Sequence, residues 1–225
     1  MKYEDVLEHL RARANPEAVA GMARYGINPT NTYGVAVPEL RALAKRIGKD
    51  HALAEKLWDS GVHEARILAS MVDDPRLVDE RQMERWVGDL DSWDVCDQLC
   101  GNLLDRAPIA YEKALEWSGR EAEFVKRAGF ALMAYLAAHD KKADDGAFEP
   151  FLAAIVREAA DERNYVRKAV NWALRQIGKR SRRLNARAIE TARAVQRIDS
   201  KAARWVAADA LRELTDERHQ SRIKR

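Results

Sequence analysis

Residues 165–173 read YVRKAVNWA, and three other stretches share their outline: HEARILAS at 63–70, FVKRAGFA at 124–131 and KAARWVA at 201–207. Each places a basic residue ahead of small or apolar ones, the pattern of a helix packed along one face. The marked residues Arg66, Arg127, Lys168 and Arg204 are 61, 41 and 36 residues apart. The widest gap has room for one more unit, and SWDVCDQLC at 92–100 fills its middle. Aligned on its apolar positions, this unit carries Asp97 where the others carry Lys or Arg.

Helix pairs that recur every ~30–45 residues stack into α-solenoids of HEAT or armadillo type, with equivalent positions facing one side. The expected fold is all-α: a HEAT-like (armadillo-type) helical repeat solenoid with a concave basic surface. Asp97, Arg127 and Lys168 are expected on that surface, and an irregular helical bundle is the alternative. Punctuation supports many short helices. Pro38 opens one after GVAV (34–37) and Gly48 closes it, while Pro75 and Pro108 read as first helical positions. Gly61, Gly119 and Gly178 read as helix ends or turns, and NPTNTYG at 28–34 as the clear irregular loop. This gives about a dozen helices of ordinary length. Residues 1–217 are expected as a single repeat domain, followed by a basic C-terminal tail at 218–225 whose order the sequence leaves open.

The 225 residues are 47% hydrophobic and 33% charged, with 11 Gly and 6 Pro, which excludes disordered and collagen-like classes. No segment reaches the ~18 apolar residues that span a bilayer. The N-terminal MKYEDVLEHLRARANP is an amphipathic helix, not a signal peptide. Two cysteines make no disulfide framework, so a cytoplasmic setting is expected. Cys96 and Cys100, at i and i+4, read as small buried side chains, not as metal ligands. Charge is unevenly spread. Residues 151–225 hold 19 Lys/Arg against 9 Asp/Glu, whereas residues 1–150 hold 20 against 27. A polyanionic partner, nucleic acid above all, is implied for the C-terminal part.

Trp93 and Asp97 are i and i+4 on one helix, as are Lys168 and Trp172 on a later repeat. With Arg127 they offer two indoles, a carboxylate and a guanidinium, while Lys126, Arg167, Lys168, Arg175 and Lys179 can meet phosphates. Such parts suit cleavage of the N-glycosidic bond of a cationic alkylpurine. Departure of the base leaves an oxocarbenium-like sugar that a fixed carboxylate stabilises. The carboxylate can also orient water, indoles pack on sugar, and arginine grips phosphate. Spacing alone leaves a blander reading open, in which a tryptophan is core and an aspartate is a surface charge. Trp58, Trp86, Trp117 and Trp205 are read as core, and Asp94 as an N-cap or surface charge. No phosphate loop, HExxH, GxSxG or CxxC competes.

The chain resembles the AlkD-like DNA alkylation repair family over nearly its whole length. The matching pieces are YGVAVPELR at 33–41, LWD at 57–59, SWDVCD at 92–97, KRA at 126–128 and RKAVNWALR at 167–175. The resemblance implies a HEAT-like stack, no metal or cofactor, and one partner, duplex DNA containing alkylated purines, bound by a monomer. It further implies a monofunctional glycosylase that removes N3- and N7-alkylated purines by gripping the backbone without flipping the base. The family's catalytic Trp-x-x-x-Asp falls on Trp93 and Asp97, its active-site arginine on Arg127, and its second sugar-facing tryptophan on Trp172. The chain departs from the pattern where Ser92 replaces the first member of a Trp-Trp doublet, and where the spacing lengthens around 140–146. The family also includes members with little glycosylase activity. A non-catalytic protein that binds distorted or branched DNA, or a protein-interaction scaffold, is therefore the other reading.

Overall fold

The computed structural model describes residues 1–221 and Ile223; Arg222, Lys224 and Arg225 of the expected tail lie outside the described residues. All regular structure among the described residues is helical, in two compact units, Met1–Pro108 and Ile109–Arg225. The first unit holds α1 (Tyr3–Arg11), α2 (Pro16–Arg24), α3 (Val37–Ile47), α4 (His51–Asp59), α5 (His63–Val72), α6 (Glu80–Gly88) and α7 (Trp93–Asn102). The second holds α8 (Ala110–Ser118), α9 (Glu123–His139), α10 (Glu149–Glu158), α11 (Asn164–Gly178), α12 (Arg182–Gln196), α13 (Lys201–Leu214) and α14 (Glu217–Gln220). This is the HEAT-like repeat fold.

Side-chain caps set several helix starts. Asn15, Asp50, Asp79, Ser181 and Ser200 each accept a backbone N–H from the first turn of α2, α4, α6, α12 and α13. Pro38 lies in the first turn of α3 as expected. Pro75 and Pro108 do not open helices. Pro75 sits in a turn, and α6 begins only at Glu80, where Asp79 caps it. Pro108 lies in the turn before α8.

In the first unit α5 packs on α3, α4 and α7. Trp58 and Trp86 stack face to face in its core, with ring centroids 4.3 Å apart. In the second unit α9, α11 and α13 form one row, each packed on the next, while α8, α10 and α12 form a second. Gly129 is required where α9 meets α8. A Cβ there would lie 2.5 Å from the Ser118 nitrogen and 2.9 Å from the Ala114 oxygen. Three of the aligned residues keep one register, with Asp97, Arg127 and Lys168 each the fifth residue of its helix. Arg66 and Arg204 each stand fourth.

Trp58, Trp86 and Trp117 are fully buried, but Trp205 is 38% exposed and is not core. The apolar stripe of α13 runs through Ala202, Ala203, Val206, Ala207, Ala210 and Leu214, and Trp205 falls beside it. Within the expected tail, the Gln220 amide donates to the Asn185 side-chain oxygen (2.7 Å), and Ile223 is buried. Among the described residues no helix is long and apolar enough to cross a membrane.

Candidate active site and nucleic-acid interface

Trp93 opens α7 and Asp97 follows one turn later, both half-buried. The 25–35 loop holds this end of the helix. The Trp93 indole N–H donates to the Tyr25 carbonyl (3.0 Å), and the Asn28 backbone N–H donates to the buried Ser92 hydroxyl (2.9 Å). The Asn28 amide also donates to Asp91 (2.7 Å). The loop is anchored in turn by Glu64, which is 1% exposed. Its Oε1 accepts from the backbone N–H groups of Tyr33 (3.1 Å), Gly34 (2.6 Å) and Val35 (3.2 Å), and its Oε2 accepts from Tyr33 (2.9 Å). Gly34 has φ +80°, and a Cβ there would collide with the Asn15 carbonyl.

Beside Glu64, the buried His63 pairs through Nε2 with Asp94 (2.8 Å). Burial opposes protonation of the imidazole, but the Asp94 hydrogen bond, with the charges of Asp94, Glu64 and Asp91, raises its pKa above the ordinary value. Asp94 is therefore neither the N-cap, which is Ser92, nor a plain surface charge. It ties α7 to α5. Cys96 and Cys100 are fully buried, and the Cys96 contact and burial push the Cys100 thiol well up.

In the second unit, Arg127 on α9 is 6% exposed and donates through Nη1 to the Tyr165 carbonyl of α11 (2.7 Å). Trp172 is half-buried on α11, edge-to-face with Tyr135 of α9 at 5.0 Å. Phe124 and Tyr165 stack at 5.7 Å beside the arginine. Helices α9 and α11 thus bring Arg127 and Trp172 onto one helix pair, as α7 does for Trp93 and Asp97.

The expected phosphate contacts divide into two sets. Lys126 is buried and pairs with Glu158 (2.6 Å) and Asp161 (3.5 Å). Burial raises the pKa of each of these carboxylates, but the Lys126 and Arg157 contacts at Glu158 and the Arg163 contacts at Asp161 leave both lowered. Arg175 and Lys179 both pair with Glu213, and Arg175 also approaches Asp209 (3.7 Å). Lys168 is exposed, and Arg167 lies over the Trp205 ring at 5.1 Å. Sequence reasoning missed Tyr25, Asn28, Glu64 and His63, which position Trp93 and α7, and Tyr135, which abuts Trp172. The one available signal was Glu64, an acid set among the apolar residues of HEARILAS.

A family model described as DNA alkylation repair enzyme matches residues 6–214. Among solved structures the chain is similar to one from a new family of proteins related to the HEAT-like repeat DNA glycosylases with affinity for branched DNA structures. The two share 21% identity over 100% of this chain and 98% of that one, with a TM-score of 0.78, a likeness of fold. A designed armadillo repeat protein is 14% identical over 78% of this chain and 92% of its own, with a TM-score of 0.37. No curated protein matches the chain.

Proposed function

From the premise that the chain belongs to the DNA alkylation repair enzyme family, we propose that it is a monofunctional glycosylase that hydrolyses the N-glycosidic bond of cationic N3- and N7-alkylated purines in duplex DNA. The observation that carries this reading is the Trp93–Asp97 pair on α7. The indole N–H is tied to the Tyr25 carbonyl, and the carboxylate stands one turn along the same helix face. Alkylation places a positive charge on the purine, so the C1′–N bond breaks with its electron pair moving to the base, which leaves neutral. Positive charge then develops on the sugar, and the Asp97 carboxylate stabilises it. Water adds to C1′ and gives up a proton to the carboxylate or solvent. In the first unit Trp93 packs against the sugar; in the second, Trp172 offers an indole and Arg127 a guanidinium to the DNA backbone. Lys168 and Arg167 extend the phosphate contacts. The base need not leave the stack, and no metal or cofactor is called for.

The test is release of N7-methylguanine from methylated duplex DNA by wild type and Asp97→Asn. Loss of one preorganised charged group at the reacting centre predicts a rate lower by about 10²–10³-fold, with DNA affinity kept. Excision by the variant at the wild-type rate would remove Asp97 from the chemistry. A second reading, binding of branched or distorted DNA without base release, is favoured by Ser92. This residue is fully buried and engaged by the Asn28 N–H where the resembled family carries a second tryptophan. It predicts salt-dependent binding and no released base from either protein.

A further inference from the structure

We propose that Trp205, backed by Arg167, is a stacking platform for an unpaired DNA base, separate from the residues assigned to glycosidic cleavage. The inference rests on the DNA-binding part of the proposed function. Trp205 is the fifth residue of α13, the position held by Arg127 on α9 and Lys168 on α11. It therefore continues that row into the last long helix of the unit. The row changes from cation to indole where the stripe of α13 is already complete in small apolar residues. An indole left 38% exposed gives up part of the stabilisation that burial would bring.

The surroundings are cationic and uncommitted. The Arg167 guanidinium lies 5.1 Å from the Trp205 ring centroid. Its Nε is buried without a hydrogen-bond partner, and its Nη2 reaches only the Asn164 side chain at 3.4 Å. Among the described residues no carboxylate pairs with Arg167, Lys168 or Lys201, and the two lysines are exposed. Farther along α11, by contrast, Arg175 and Lys179 share Glu213. Phosphates alone would be met by cations. An exposed indole among those cations fits a partner that combines negative charge with an apolar π-face, which is a nucleotide whose base has left its own stack. Such bases occur at flaps, branch points and strand ends, and not inside an intact duplex.

The experiment compares binding of a single-stranded-flap duplex and a blunt duplex of equal length by fluorescence anisotropy, for wild type, Trp205→Ala and Trp205→Phe. Stacking on one aromatic side chain predicts that Trp205→Ala weakens flap binding by about 5- to 150-fold. Blunt-duplex binding should stay within about twofold, and Trp205→Phe should retain most of the flap affinity. The salt slope on flap DNA should be unchanged, because no cation is removed. Flap affinity kept by Trp205→Ala, or lost equally on both DNAs, would overturn the platform and leave the DNA reading standing. Failure of the wild type to bind either DNA would instead remove the reading on which the platform rests.

Discussion

Replacing Glu64 by Gln should loosen the loop that seats Trp93, and the size of the effect follows from the contacts. Oε1 accepts three backbone N–H groups and Oε2 a fourth contact, from Tyr33. The glutamine oxygen can take over the Oε1 role, but its NH₂ must then occupy the Oε2 place and face the Tyr33 N–H donor to donor. Hydrogen bonds to a charged acceptor contribute about 1.5–3 kcal/mol and neutral ones about 0.5–1.5. Three bonds reduced in this way, with the donor clash added, give a loss of about 2–4 kcal/mol, part of it offset because a neutral amide is easier to bury. For chains of this size about 2–4 °C of Tm accompanies each kcal/mol. Calorimetry together with tryptophan fluorescence would follow it, since the stacked Trp58–Trp86 pair reports on the first unit. A variant within about 0.5 kcal/mol of wild type would show that the carboxylate does not hold the loop, and the account of Trp93 positioning would fail with it.

Two further outcomes are expected. Because the folded pKa of His63 is raised, its pairing with Asp94 contributes stability in full below the unfolded value of about 6.5 and loses it as pH rises through the folded pKa. Melting temperature should therefore fall across that window, and Asp94→Asn should flatten the fall; an unchanged profile would count against the pair. Glu213→Gln should free Arg175 and Lys179 for phosphate and steepen the salt dependence of DNA binding by about one to two units of slope. An unchanged slope would remove both cations from the DNA surface.

The parts of the fold that were legible in the sequence depend on local periodicity. YVRKAVNWA and FVKRAGFA carry their register in the order of residues, so Arg127 and Lys168 fall at the same helical position in the structure. What was not legible depends on partners distant in the chain. Lys126 reads as one cation of a basic run until the end of α10 and the turn after it bring Glu158 and Asp161 to it. Trp205 misled in the opposite direction. Tryptophan favours burial, but the i, i+3, i+4 spacing of the small residues in α13 already excluded it from the stripe, so periodicity should have outweighed residue type. Pro75 misled because a prolines's tolerance of a first helical turn does not place it there, and Asp79, able to satisfy the Gln82 N–H, fixed the start instead.

The same dependence on distant partners bears on what the candidate site requires. Trp93 and Asp97 need only one helix to be neighbours, yet the direction of the indole is set by a carbonyl 68 residues earlier in the chain. That carbonyl belongs to a loop with little regular structure of its own, held at one end by Asn28 on Ser92 and at the other by the Glu64 carboxylate. A fixed carboxylate lowers a barrier only if it is in place before charge develops, since reorientation during the reaction would cost what the charge recovers. The buried Glu64 and His63, both on α5 and the latter paired with Asp94, hold the loop and the helix that carry the proposed site. Substitutions there should consequently lower excision while leaving phosphate contacts on α9 and α11 untouched, which separates positioning of the site from binding of its DNA.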